Sequence, residues 1–561
     1  MHKDIEALAD ELVAVRFEQE PLEAAMLGLD DGSTGLGDLS RVADDHFVDR
    51  YRSIAAATSG LTARLRGEGA ELDEREILTL DVVGYSAACA ADQMELRLIE
   101  VTVSDFFNSP VAGLVTILPQ LALDTIARRS AYLRRLEALP RVLEQVGQRH
   151  LEGIASGRAP THRGVTNALA FIDTVTSDPD VSGLRRRVED DTDFSAAQDR
   201  ILHDLVVPAL LAYRNTLRHS LLERGRDDEH SGLGALPDGA ELYRTMVRVS
   251  TSTRRTPEEL HDTGLALIEA LRNDFLTIGR RLWGMDDVAE IHNRLRKDPA
   301  LRYDTSEEIL EAARSTVRRA EAAAPDWFDL LPSTPCTVQP VPLALAEGSA
   351  AAYYNTGALD GSRPGTYFVN TTRPEERLRH MSEAVAYHEA VPGHHFQLTI
   401  GQEITDSHLV HTVFIDVANA EGWGLYSERL ADEMGLYSDD VALLGMLSTD
   451  AFRAARLVVD TGLHALGWSR QRAIDWMSDN VPISTVEIVA EIDRYISMPG
   501  QALSYMVGRL EIQECRRMAT EALGERFDVR AFHNLLLSTG PVPLPALHAA
   551  VDRWIASHAS A

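Results

Sequence analysis

Cysteine is scarce in this chain: Cys89, Cys336 and Cys515 are the three among 561 residues, odd in number and far apart. That spacing excludes a disulfide framework and a cysteine-based zinc cluster, and leaves the thiols to serve as small buried hydrophobes. Positive charge is in deficit too, with 55 Lys and Arg against 86 Asp and Glu, a formal net charge of −31. So acidic a surface repels a phosphate backbone and an anionic bilayer, so neither nucleic acid nor membrane is an expected partner. No run approaches 18 apolar residues, and Met1-His2-Lys3-Asp4-Ile5-Glu6 lacks the apolar core of a signal peptide. The expected location is the cytoplasm.

Apolar side chains make up 45% of the residues, enough for sizeable cores, and the length exceeds that of an ordinary single domain. Two lobes are expected, 1–235 and 236–561, with the polar stretch Gly225-Arg226-Asp227-Asp228-Glu229-His230-Ser231-Gly232 as the boundary. From residue 3 to about 225 the apolar spacing is helical, for example Ile5, Leu8, Leu12 and Val13, or Leu133, Leu136, Leu139, Val142 and Val146. Breaks are expected at Gly32-Ser33-Thr34-Gly35, Gly157-Arg158-Ala159-Pro160 and Ser177-Asp178-Pro179-Asp180. The histidines here, His150, His162, His203 and His219, are scattered and read as structural or surface groups. Thr256-Pro257-Glu258-Glu259 and Thr305-Ser306-Glu307-Glu308 fit capping boxes at helix starts.

Between about 335 and 371 the period shortens. Cys336 to Val341, Ala351 to Asn355 and Thr366 to Asn370 read as strands, the last two joined by the turn Asp360-Gly361-Ser362-Arg363-Pro364-Gly365. A helix is expected to start near Arg373-Pro374-Glu375-Glu376, and another to run from about His411 to Glu433.

The chemistry concentrates in His388-Glu389-Ala390-Val391-Pro392-Gly393-His394-His395, followed by Glu421-Gly422-Trp423. A zinc site uses two or three neutral imidazoles, often a carboxylate, and an open position for water, while a further carboxylate can act as base. Here His388 and a later histidine would hold the metal, Glu421 would complete the site, and Glu389 would serve the water. The usual His-Glu-x-x-His spacing is absent, since Pro392 stands four after His388. On an ideal helix His394 lies roughly 240° round and about 9 Å along, and His395 on the same face but about 10.5 Å along, so neither fits. Pro392 clashes with the carbonyl of His388 and Gly393 is free to turn, so a break or bulge there could bring His394 round. The competing reading is a helix end with histidines fraying into solvent.

These segments resemble a large bacterial domain-of-unknown-function family, number 885, grouped with the gluzincin zinc metallopeptidases. Asp360-Gly361-Ser362-Arg363-Pro364-Gly365, Arg456 through His464, and Arg494-Tyr495 through Tyr505 extend the resemblance over about Leu236 to Gly508. The resemblance implies a mainly α, two-lobed fold like the gluzincin oligopeptidases and carboxypeptidases, with a small antiparallel sheet beside the cleft. Its implied ligands for one Zn2+ are His388, His394 and Glu421, with His395 the rival second histidine. It also implies an edge strand that pairs with substrate, where Arg363 could grip a carboxylate and Tyr367, His395, Gln501 and Arg494 would add contacts. Tyr505, and after it Tyr495, are the implied donors to the oxyanion.

Asp460 and His464 are four apart on the long helix expected from Ser438 to about Ser469, and could pair either to aim His464 at the site or as a purely structural pair, the two readings standing level. Glu428, seven beyond Glu421, could support a ligand but reads slightly better as a surface ion pair. The expected activity is zinc-dependent hydrolysis of short peptides. Hydrolysis of another amide or ester, and a non-catalytic binding protein that keeps the fold, are the alternatives.

Overall fold

The computed structural model describes residues 1–29, 35–178, 180, 182–189, 191–346, 350–359, 363–404 and 407–559. Gly32, Ser33, Thr34 and Pro179 of the expected breaks, and Asp360, Gly361 and Ser362 of the expected turn, lie outside these residues. The described chain is mainly helical. Helices α1 (Lys3–Gln19), α2 (Arg41–Glu68) and α3 (Glu74–Glu95) pack on one another. Helix α4 (Ile126–Ala155), with Pro140 inside it, and α5 (His162–Ser177) help build a core drawn from Leu22 to Leu221. In it His150 is satisfied by the Glu100 carbonyl at 3.4 Å and the Tyr213 hydroxyl at 3.0 Å.

A larger core takes side chains from α1 to α3 together with the helices after residue 233. Helix α6 (Gly239–Thr251) leads to α7 (Pro257–Trp283), whose capping box at Thr256 and Glu259 closes in both directions. At α8 (Ser306–Ala323) the box is altered: Thr305 accepts from the Glu308 amide, but the Glu308 carboxylate reaches the amide of Asp304 instead.

Strands β1 (Thr337–Pro340), β2 (Ala352–Asn355) and β3 (Thr366–Val369) form one sheet in the order β1-β3-β2. The sheet is mixed, not antiparallel as expected: β2 and β3 pair antiparallel, while β1 and β3 pair parallel. The chain turns through Leu343–Ala346 after β1 and lays β2 on the far side of β3, so β3 is central. The helix expected near Arg373 is also corrected. Pro374–Glu376 is a single 3-10 turn, and the backbone is extended at Arg377, whose guanidinium folds back to the Thr372 carbonyl at 2.9 Å.

Five helices then frame the site: α9 (Ser382–Glu389), α10 (His394–Glu403), α11 (Val417–Glu433), α12 (Asp440–His464) and, after two shorter segments, α13 (Ser504–Leu523). Helix α11 starts later than expected because Asp416 caps it, accepting from the Asn419 amide at 2.8 Å. Helix α12 is enclosed on all sides, packing on α7, α9, α11 and α13, and every residue from Leu444 to His464 is buried except Arg453. Such a helix belongs in the middle of a fold. Of the cysteines, Cys515 is buried, whereas Cys89 and Cys336 are half-buried; all three are free.

Asp450 on α12 carries the helix assembly's deepest ion pairs. Fully buried, it accepts from Arg429 of α11 and from Arg509 of α13, tying three helices through one carboxylate. Removing one member of a buried charge cluster strands its partners, at a cost of about 3–5 kcal/mol. Asp450→Ala is therefore expected to lower unfolding free energy by that amount in denaturant titration, whereas exposed Arg517→Ala, whose pairs are solvent-screened, should leave the midpoint essentially unmoved.

Candidate functional site

Helix α9 ends at Glu389. Ala390 leaves helical geometry at φ −108° and ψ −98°, the Val391–Pro392 peptide is cis, and α10 begins at His394. The helix thus breaks and restarts; it does not bulge. Gly393 is required at the restart, because a Cβ there would lie 1.9 Å from the His388 carbonyl oxygen and 2.4 Å from that of Tyr387. The Pro392 carbonyl left free by the break is satisfied from α11: the Trp423 indole N–H donates to it at 2.9 Å and shares that bond with the Gly393 oxygen at 3.1 Å, which also accepts from the Gln397 amide at 3.2 Å. Trp423 is completely buried, so the Glu421-Gly422-Trp423 segment supplies both an acid for the site and the clamp that shapes it.

The break brings two imidazoles to one carboxylate. His388 Nε2 lies 3.3 Å from Glu421 Oε2, and His394 Nε2 lies 3.5 Å from the same oxygen. The two rings are perpendicular, with centroids 4.8 Å apart. One ligating atom from each of His388, His394 and Glu421 falls within 4.8 Å of the others, so these three residues could hold a metal ion. His388 Nδ1 donates to Glu428 Oε1 at 2.9 Å, and the Thr449 hydroxyl and Glu428's second oxygen are also bonded. Glu428 is fully buried, which corrects its reading as a surface ion pair. The His388 ring fits only because residue 424 is glycine, where a Cβ would lie 2.7 Å from the imidazole.

Electrostatics reflect this crowding. Burial disfavours the charged form of His388, but hydrogen bonds to Glu421 and Glu428 outweigh it and push the imidazole up to about 9. Burial likewise disfavours ionised Glu421, yet the bonds from His388 and His394 hold it well below the usual carboxylate range. Burial raises Glu389, with His388 and His394 opposing the shift and Glu421 adding to it. The Tyr505 ring lies nearly parallel to that of His388, centroids 6.3 Å apart, so this tyrosine borders the site directly.

Other residues singled out from sequence lie elsewhere. His395 faces away from His388: its Nε2 donates to the Thr334 carbonyl at 3.1 Å and its Nδ1 accepts from Tyr354 of β2 at 3.0 Å. At 1% exposure it offers no face to a substrate and does not join the metal cluster. Tyr495 is corrected as an oxyanion donor, because its buried hydroxyl donates to Glu491 at 2.6 Å and accepts from Arg456 at 2.9 Å. His464 is corrected as well. Its Nδ1 accepts from the Leu233 amide at 2.9 Å and its Nε2 donates to the Tyr495 carbonyl at 3.0 Å, so it fastens two chain segments. Asp460 does not pair with it, but accepts from the Tyr243 hydroxyl and the Gly500 amide.

Tyr367 is buried at the centre of the sheet, while Arg363 is exposed. Arg494 donates to Glu491, at 3.0 Å, and to Gln501, at 2.5 Å, forming a half-buried group near Tyr505. Sequence reasoning missed Trp423 as a clamp and underrated Glu428. For both, the signal was their place on the helix of Glu421, two and seven residues on.

Two solved structures share the fold. A "putative lipoprotein" from Colwellia psychrerythraea is 25% identical, with a TM-score of 0.87 over 99% of this chain and 100% of that one. A second "putative lipoprotein of unknown function", from Shewanella oneidensis, is 18% identical, with a TM-score of 0.76 over 97% and 99% of the two chains. Among the described residues no helix is long and apolar enough to cross a membrane. No curated protein matches the chain. A family model does match, from residue 21 to residue 551, and the chain belongs to that family, the bacterial proteins of unknown function DUF885.

Proposed function

We propose that this protein is a zinc-dependent hydrolase of short peptides, with His388, His394 and Glu421 as the metal ligands. The observation that carries the reading is the spacing of donor atoms. Separations of 3.3 and 3.5 Å from Glu421 Oε2 to the two imidazole nitrogens are long for hydrogen bonds, which favour about 2.7–3.2 Å. These two are close to the separation of about 3.3 Å between ligands on a tetrahedral ion with bonds of about 2.0–2.1 Å, and all three ligating atoms lie within 4.8 Å of one another. Three protein ligands leave one position open, as catalytic zinc sites do. The Glu428–His388 contact adds the outer carboxylate that orients a ligating imidazole. Charge supports the same reading, since a divalent cation would balance the carboxylates of Glu421 and Glu428 in a largely buried setting.

A bound zinc ion would supply Lewis acidity towards a carbonyl and lower the pKa of a water. The chain's own residues would do the rest. Glu389, next in sequence to His388, takes the proton from the attacking water and returns it to the amine nitrogen as the amide bond breaks. Its burial-raised pKa brings it nearer to neutrality, where a carboxylate can both accept and return a proton. The Tyr505 hydroxyl is placed on the ring that borders His388 and donates to the oxygen on which charge develops. Glu428 keeps His388 in one orientation throughout.

Metal analysis after purification with zinc tests the reading. About one zinc per chain is expected for the parent, lost in His388→Ala and in Glu421→Ala while both remain folded. Glu389→Gln should keep its zinc and lose hydrolysis of short peptides by at least about 100-fold. Metal content indifferent to His388 and Glu421 would sink the assignment. Glu428→Gln tests the outer carboxylate separately: competition with a chromophoric chelator should show zinc affinity about 10–100-fold weaker.

A further inference from the structure

Three arginines gather around Tyr505. The Arg456 guanidinium lies 4.4 Å from the Tyr505 ring centre and that of Arg453 lies 5.9 Å from it, while Arg494 is electrostatically coupled to the same ring. Arg456 is committed, bonded to Tyr495 and, at 3.0 Å, to Glu491. Arg494 is committed to Glu491 and Gln501. Arg453 is different. Among the described residues it has no hydrogen-bond or ion-pair partner; it touches the rings of Phe452 and Tyr505, its charge favours the ionised forms of Glu389 and Glu487, and its buried Nε is unsatisfied. One Arg456 nitrogen, Nη1, is also buried and unsatisfied, on a residue only 4% exposed.

Arg379 and Arg472 likewise rest on aromatic rings with no acid partner among the described residues, but Arg453 does so against a ring that borders the candidate site. Arg453 is also the one residue between Leu444 and His464 of α12 that is not buried, so the central helix opens there and nowhere else along that span. It rests against Tyr505, whose ring borders that of His388, and its charge favours ionised Glu389. A planar donor group held half-buried beside a reaction centre, with its donors unspent, is built for a carboxylate.

We propose that Arg453, supported by Arg456, binds a carboxylate of the substrate, so that the hydrolase acts on peptides whose acid group lies close to the bond it breaks. This deepens the peptide-hydrolase reading and rests on it for the word substrate. Steps of 6.3 Å from His388 to Tyr505 and 5.9 Å from Tyr505 to Arg453 bound the separation at about 12 Å. At about 3.3–3.6 Å per residue, a chain of one to three residues spans it. A free C-terminus that near the scissile bond would make the enzyme an exopeptidase removing short C-terminal pieces, whereas an Asp or Glu side chain there would make it selective for acidic peptides.

Calorimetric titration of the zinc-free protein reads the site independently of catalysis. Alanine tripeptide is compared as free acid and as C-terminal amide, together with an amidated tripeptide that carries Asp at its last position. The free acid should bind at least ten-fold more tightly than the plain amide, and Arg453→Met should abolish that preference while Arg453→Lys retains part of it. Tight binding of the amidated Asp peptide, lost in Arg453→Met, would identify a side-chain carboxylate as the recognised group. Both variants should keep the parent's zinc content and melting behaviour. Equal binding of all three peptides to the parent, or a preference for acid that survives in Arg453→Met, would overturn the proposal. Because zinc content and peptide binding are separate readouts, a protein that binds acids through Arg453 but hydrolyses nothing would refute only the catalytic reading.

Discussion

His388 sits between two carboxylates, 2.9 Å from Glu428 on one side and 3.3 Å from Glu421 on the other, almost wholly out of water. One buried and one half-buried acid sharing one imidazole make an expensive arrangement, because desolvated charge must be matched locally or given up. Much of the surrounding structure exists to hold it. Gly424 leaves room for the ring, Thr449 bonds the acid behind it, and the break after Glu389 swings His394 to the same oxygen of Glu421. The break in turn depends on a glycine that admits two carbonyls and an indole that satisfies the Pro392 carbonyl.

The site is rigid because it is hung from the middle of the molecule. Helix α12 is enclosed by α7, α9, α11 and α13, and Asp450 locks it to two of them through paired arginines. Residues that resemble catalytic groups, Tyr495 and His464, turn out to be fasteners in the same frame, joining the segment after α12 to Leu233 and to the arginine cluster. Groups that touch the reacting region therefore come from short stretches, while groups that fix those stretches come from everywhere. Precise geometry of this kind is what preorganised donors need if they are to stabilise charge without rearrangement.

Much of this was legible in the sequence, and what was not has a physical cause. Apolar spacing of 3.6 marks helices wherever one face is buried, so the helical character and α4 in particular could be read residue by residue. Strand segments were legible too, but a period of 2 carries no information about neighbours, so the parallel pairing of β1 with β3 was not. The cluster of His388, His394 and Glu421 could be proposed from residue types, whereas the choice of a break over a bulge depends on Trp423, which is far along the chain. Spacing of seven puts Glu428 on the face of Glu421 without saying whether that face meets water or His388. An arginine's lack of partners, as at Arg453, is invisible until every neighbouring helix is in place.

The central claim is that one zinc ion is held by His388, His394 and Glu421, and not by the adjacent His395. Zinc-edge X-ray absorption on the zinc-loaded protein addresses it directly. The account predicts a first shell at about 2.0–2.1 Å containing two imidazoles, reduced to one in His394→Ala and unchanged in His395→Ala. A shell that keeps two imidazoles in His394→Ala, or loses one in His395→Ala, would contradict it.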